Sequence, residues 1–289
     1  MAGESSLSFG VHLPQAGPAA SGEAMRRAAV LAEQLGFADV WLSDHVVVPS
    51  DAKYPPSAYV FEPLAAMAWV AAATARVRIG TTILVLSMRN PLIVAKTLAS
   101  IDRMSGGRVI LGAAAGWLRA EFDALGVPFE QRGARMDEGL EILRRAWSDD
   151  PIDGEFPVHG ARFVNIRSKP QPAARIPIWI GGHAPVALAR AIRAGDGWHG
   201  AFLTPEETAK RVAVLRAKRP EASFTISMRT RWDALVDNPD AILRELEAYR
   251  EAGVQHFVSE PRQRTLDDYL RSIEALAALC TRAGIAGGR

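Results

Sequence analysis

Short apolar runs alternate with longer stretches of helical periodicity along the chain. Phe9–Leu13 predicts a first strand, stopped by Pro14. Ser21–Leu35 predicts a helix with Ser21 as N-cap and Gly36 just past its end. Val40–Leu42 predicts a second, buried strand that ends on Ser43, Asp44 and His45. The proline-rich Val46–Phe61 is too long and turn-rich for a mere connector and reads as a loop over the strand ends. Glu62–Ala73 predicts a helix with Pro63 in its first turn, and Val77–Leu86 a third strand. A helix over Asn90–Met104 and a fourth strand over Arg108–Gly112 follow. Ala113 to Gly116 are all small, Trp117–Gln131 reads as a long loop, and Ala134–Trp147 predicts the fourth helix.

Pro151–Gln171 then breaks the alternation, with a hairpin expected over Phe156–Val164 around His159-Gly160. The alternation resumes with a fifth strand, Ile176–Ile180, and a fifth helix opened by Gly181-Gly182. A sixth strand at Gly197–Phe202 precedes a helix begun at Thr204-Pro205. A seventh strand lies within Phe224–Ala234, followed by a helix over Pro239–Ala252. An eighth strand over His256–Ser259 and a last helix over Leu266–Arg282 complete the series. The first seven residues read as a loose tail.

Strict strand–helix alternation implies parallel strands. Eight such units favour a closed α/β architecture, a (β/α)8 TIM barrel, over an open doubly wound sheet. The expectation is a single domain over residues 1–289, with a hairpin insertion between the fourth helix and the fifth strand.

The 289 residues fit one barrel. Lys+Arg 34 nearly balances Asp+Glu 32, so no broad basic field invites nucleic acid. The single cysteine, Cys280, excludes an internal disulfide and a cysteine-based metal site, which fits a reducing compartment. No apolar run reaches membrane-spanning length and no leader pattern opens the chain, so a cytoplasmic location without membrane partners is expected.

In a barrel, residues at the carboxyl ends of the strands meet at one mouth, where active sites lie. Asp44-His45 is the first candidate there: an imidazole exchanges protons near neutral pH and a neighbouring acid can orient it. A polar loop just past a strand is the plainer alternative. The second candidate is a cradle of small residues, Ala113–Gly116 and Gly181-Gly182, where a backbone can approach a ligand closely. Gly181-Gly182 also precedes a helix, whose positive end suits a phosphate; two tight barrel turns would look the same. His12, Tyr54, Trp117 and Trp198 are candidates for a substrate pocket, with Tyr59 and Phe202 beside them. Arg229 and Arg231 either meet anionic groups or pair with carboxylates inside the barrel, the second being favoured. Histidines at strand ends, His12, His45, His183 and His199, raise a metal-hydrolase alternative. Barrel metal hydrolases usually add a His-x-His pair after strand one, a Lys after strand four and an Asp after strand eight. This chain offers neither the pair nor the Lys, and strand eight ends Ser259-Glu260, so no metal is expected.

Several segments, in this order, carry a resemblance: Ser43-Asp44-His45, Leu111–Leu118, Leu125–Phe129, Arg132–Glu138, Pro177–His183 and Gly195–Gly200. Together they resemble the luciferase-like flavin and deazaflavin oxidoreductases, and within them the coenzyme F420-dependent subgroup. The resemblance is strong over residues 9 to 202 and weak beyond. It implies a hydride-transfer enzyme in which coenzyme F420 lies in the mouth with its phosphate tail on Ala115-Gly116 and Gly181-Gly182. It implies His45 near the reactive ring edge as general acid/base or electrostatic stabiliser, with Asp44 binding the cofactor and orienting. It also implies a non-proline cis peptide at Thr82-Ile83 behind the ring, a small-molecule substrate, and a homodimer joined through barrel helices. One position departs from the pattern. Sugar-phosphate dehydrogenases of the subgroup place a catalytic glutamate directly after the fourth-strand glycine, where Trp117 stands here, so sugar-phosphate oxidation is not expected. Two alternatives stay open: an FMN-dependent monooxygenase that uses dioxygen, and a non-catalytic cofactor-binding protein on the same fold.

Overall fold

The computed structural model of the protein describes residues 7–284. Most of the expected N-terminal tail lies outside the described residues. Eight parallel strands close into a barrel: β1 (Ser8–His12), β2 (Asp39–Leu42), β3 (Arg78–Thr81), β5 (Val109–Ala114), β8 (Ile178–Gly181), β9 (Gly197–Ala201), β10 (Thr225–Thr230) and β11 (His256–Ser259). The seam closes where β3 pairs with β5, Ile79 opposite Val109. A two-residue strand, β4 (Leu84–Val85), continues beside β5. The expected third strand is therefore broken, and the break falls at Thr82-Ile83, whose peptide bond is cis.

The helices follow the strands. They are α1 (Gly22–Gln34), α2 (Pro63–Ala73), α3 (Pro91–Ser105), α4 (Arg119–Ala124), α5 (Arg132–Ser148), α6 (Pro185–Ala194), α7 (Pro205–Arg216), α8 (Pro239–Glu251) and α9 (Leu266–Arg282). Their starts obey local chemistry. Ser21, Asn90, Thr204, Asn238 and Thr265 each accept a backbone N–H at the first turn. α4 corrects the sequence expectation of an unbroken loop over Trp117–Gln131. Two turns are too short to register as periodicity, and the segment holds because Phe122 is buried against Val85 and Met88.

The insertion is an antiparallel hairpin between α5 and β8, as expected. Its arms are β6 (Ile152–Phe156) and β7 (Ala161–Ile166), so the first arm begins earlier than the Phe156 read from sequence. Phe156 and Ile152 are buried ends of that arm, while the residues between them face out.

The barrel interior is filled by rings rather than aliphatic layers alone. Trp41 stacks on His199 with centroids 5.3 Å apart, and Trp179 meets His256 at 4.9 Å. A hydrogen-bonded chain runs through this layer. Thr82 Oγ1 lies 2.8 Å from His199 Nε2, and His199 Nδ1 2.7 Å from Ser227 Oγ. Ser227 Oγ lies 2.7 Å from His256 Nδ1, and His256 Nε2 2.9 Å from Asp39 Oδ1. Arg78 closes the chain on Asp39 at 2.8 Å. Each polar group of this layer thus has a partner, which removes the cost of burying it alone.

Candidate active site

The carboxyl ends of β1, β2, β10 and β11 surround a cleft of about 780 Å³. Its walls include His12, Ser43, His45, Tyr54, Tyr59 and Arg229. The proline-rich segment expected to cover the mouth does so, supplying Tyr54 to Val60.

His45 lines this cleft, and its Nδ1 sits 3.1 Å from Glu121 Oε2 on α4. The other oxygen of Glu121 accepts the N–H groups of Val46 at 2.8 Å and Val47 at 3.4 Å. Glu121 is buried. A carboxylate that accepts from Nδ1–H fixes the orientation of the ring and leaves Nε2 as its other nitrogen. Sequence reasoning missed Glu121. Its segment read as loop, and nothing local links it to His45.

The Asp44 side chain turns to Arg89 rather than to His45. That side chain is wholly buried, with Oδ1 2.7 Å from Arg89 Nη2 and Oδ2 accepting the Val85 N–H at 2.8 Å. Burial pushes its carboxyl up, opposed by Arg89 and by the Val85 N–H. Through these contacts Asp44 ties Arg89 to the strand β4.

The mouth floor is a second network. His12 Nε2 lies 2.8 Å from Ser43 Oγ, and Arg229 Nη1 donates to the Thr82 carbonyl at 2.8 Å and to Ser43 Oγ at 3.1 Å. Arg229 pairs with Glu260 at 3.0 Å, so the favoured expectation, pairing inside the barrel, describes it. Burial and then the Arg229 charge push His12 down to about 3, which keeps its ring neutral. Thr82, placed by the cis bond, is itself buried and gives both its carbonyl and its hydroxyl to these networks.

The small-residue cradle has a packing cause. Gly116 has φ +81, and a Cβ there would stand 2.5 Å from Val85 and 2.9 Å from Phe122. Gly182 has φ +114, and a Cβ would stand 2.9 Å from Ala187. Gly181 is buried beside Ile83. The Ala115 carbonyl accepts the Ser87 hydroxyl at 2.6 Å. The chain's own folding therefore requires these glycines, whether or not a ligand approaches. The loop at Gly182 nevertheless ends at α6, which starts without a side-chain cap and leaves its positive end available to a phosphate.

Trp117 is 56 % exposed and lies edge-on to His45, centroids 6.4 Å apart, and 6.0 Å from Tyr54. These three rings form one open aromatic corner. Trp198, also expected in the pocket, is fully buried in the core and donates Nε1–H to the Gly182 carbonyl at 2.8 Å. It braces that loop from inside the core. His183 sits outside the corner, accepting the Ala201 N–H at 3.2 Å. Among the described residues no cluster of three His, Cys, Asp or Glu side chains is placed to hold a metal. No helix among them is long and apolar enough to cross a membrane.

A closed parallel barrel with its cleft at the carboxyl ends of the strands defines a barrel enzyme of the kind the sequence resembles. The luciferase-like monooxygenase family model matches residues 5–286, and the chain belongs to that family. A Mycobacterium tuberculosis protein of uncharacterised function is 34% identical over 208 residues, 67% of this chain and 70% of the relative. An F420-dependent glucose-6-phosphate dehydrogenase from Kineococcus radiotolerans is 33% identical over 175 residues, 59% of this chain and 50% of the relative. Among solved structures, a monooxygenase from Streptomyces bottropensis superposes with TM-score 0.79 at 22% identity, covering 96% of this chain and 99% of its own. An F420-dependent secondary alcohol dehydrogenase bound to an F420-acetone adduct gives TM-score 0.76 at 20% identity, covering 94% and 99%. These likenesses at low identity establish the fold.

Proposed function

We propose that the protein is an F420-dependent oxidoreductase that moves a hydride between the deazaflavin and a small organic substrate. The observation that carries this reading is His45 on the wall of the mouth cleft, held through Nδ1 by the buried Glu121 behind it. The F420-dependent relatives support it.

The residues present fit such a cofactor. A cleft of about 780 Å³ suits a flat tricyclic ring with a substrate beside it. The uncapped start of α6 beside Gly182 suits its phosphate. The bound cofactor would supply hydride exchange at its C5 position. This chain's residues do the rest. Glu121 holds Nδ1–H of His45, so that Nε2 gives or takes the substrate's proton. Trp117 and Tyr54 offer an aromatic face to the substrate and shield that proton from water. We further infer a cytoplasmic homodimer; exposed Trp69 on α2 and exposed Ile93 and Met104 on α3 support an apolar contact between helices.

The second reading, an FMN-dependent monooxygenase, rests on the family's name and on the Streptomyces neighbour. One titration separates the two: the cofactor-free protein against coenzyme F420 and against FMN, followed by fluorescence. Micromolar or tighter binding of F420 with weak FMN is the expected result. The opposite preference, with oxygen uptake, overturns it.

A further inference from the structure

The charges of the mouth cleft stand on one side of it. The wall that residues 13–20 and 54–60 contribute carries no charged side chain; Leu13, Pro14, Tyr54, Pro56, Tyr59 and Val60 belong to it. The two histidines aside, every charged residue of the cleft wall comes from the end of β10 or from the loop after β11. These are Arg229, Glu260, Arg262 and Arg264.

Three of those four charges are already matched. Arg229 pairs with Glu260 at 3.0 Å, and Arg262 with Asp237 at 2.7 Å. Arg264 is exposed, and its guanidinium has no hydrogen-bond or ion-pair partner among the described residues. The cleft wall therefore keeps one unmatched positive charge. Arg231, likewise without a carboxylate partner among the described residues, lies 4.3 Å over the Phe202 ring at the end of the neighbouring strand and adds to the positive field on that side.

The backbone that presents Arg264 is fixed on both sides. Asp233 is fully buried and accepts the Arg262 N–H at 2.7 Å and the Gln263 side-chain amide at 2.9 Å. Just beyond Arg264, Thr265 caps α9 through the Asp268 N–H. The guanidinium thus projects from a rim position that the fold sets, and less freedom is lost when it takes a partner. A guanidinium fork matches a carboxylate, and the uncharged wall matches a hydrocarbon body.

We propose that Arg264 selects the substrate by charge, and that the mouth takes an organic acid: an apolar, ring-bearing body against the Tyr54 wall and one carboxylate on Arg264. This rests on the oxidoreductase reading, which makes the mouth a substrate cleft, and it narrows the substrate to carboxylic acids.

The test titrates the full chain, without cofactor, by calorimetry with phenylacetate and phenylacetamide. The two probes share a ring and a shape and differ in charge. Wild type should bind phenylacetate one to one and about fivefold more tightly than the amide, the upper worth of a partly exposed ion pair. Acetate, which lacks the ring, should bind more weakly than phenylacetate. Arg264→Met keeps most of the side chain's length and should bring the two ring probes to equal affinity, with the amide unchanged. Arg264→Lys should keep part of the preference. Coenzyme F420 should bind wild type and Arg264→Met alike. Equal binding of the ring probes to wild type, absence of phenylacetate binding, acetate binding as tightly as phenylacetate, or a preference that survives in Arg264→Met overturns the proposal. Weaker F420 binding by Arg264→Met overturns it too, because the arginine then serves the cofactor's phosphate tail. Failure of wild type to bind F420 sinks the oxidoreductase reading by itself, since the probes are compared without cofactor.

Discussion

The imidazole Nδ1 of His45 and Oε2 of Glu121 lie 3.1 Å apart, although 76 positions separate them in the chain. The pair joins the end of one barrel strand to a two-turn helix, and the same carboxylate ties down the next two peptide N–H groups. Glu121 is therefore a positioning residue for His45. Glu121→Gln keeps the shape but loses the charge-assisted bond, and turnover should fall about 10- to 100-fold, the worth of a hydrogen bond to a charged group. The loss should appear in kcat with KM little changed, because Glu121 does not line the cleft. His45→Ala should cost about 10²–10⁴-fold. An Glu121→Gln enzyme with unchanged kcat would remove the positioning role.

Two tryptophans expected in one pocket should separate cleanly. Trp117→Ala removes an exposed ring and should leave unfolding free energy within about 0.5 kcal/mol of wild type while raising KM. Trp198→Ala empties a buried site and breaks the bond to Gly182, and should cost about 3–5 kcal/mol. Urea unfolding beside steady-state kinetics distinguishes them. A raised KM in a fully stable Trp198→Ala enzyme would return that residue to the pocket.

Arg89 neutralises a carboxylate that has no exposure of its own. Arg89→Met should leave Asp44 buried with the Val85 N–H as its remaining partner, at a cost of about 3–5 kcal/mol. Pairing it with Asp44→Asn should recover part of that loss. Denaturant midpoints of the two single variants and the double variant measure the coupling.

Stability should fall with acid below about pH 6.5. His12 and His199 each titrate near 3 in the folded chain, driven down by burial first, then by Arg229 for His12 and by His256 for His199. Unfolded, each returns to 6.5. Between those values the unfolded chain binds more protons, so stability rises with pH, by up to about 1.4 kcal/mol per unit for each histidine. Their contribution is complete above the unfolded pKa. His199→Gln should make the slope between pH 6.5 and 4.5 shallower, read from urea midpoints across that range. An unchanged slope would mean that His199 is already charged in the folded chain.

The order of strands and helices was legible because each element announces itself over a few neighbouring residues. Apolar runs such as Val40–Leu42 and the caps at Ser21 and Asn90 act within one turn or one strand. Eight repeats of that pattern leave little besides a barrel, and the barrel places His45 at the mouth. The cis bond at Thr82-Ile83 was anticipated from the resemblance, behind the ring, and the glycines at 116 and 182 as part of a ligand cradle. Packing against Val85, Phe122 and Ala187 explains the two glycines equally well, which no local pattern reveals.

Partnership was what the sequence alone left open. Asp44 adjoins His45 in the chain yet turns to Arg89, while Glu121 reaches His45 from a helix too short to have a period. Trp198 and Trp117 are the same residue type near strand ends, and only the closing of the barrel buries one and exposes the other. Local sequence determines where an element starts, stops and faces. Which polar group meets which is decided when the chain closes, because a buried charge or imidazole must take whatever partner the packed neighbours bring within hydrogen-bond reach.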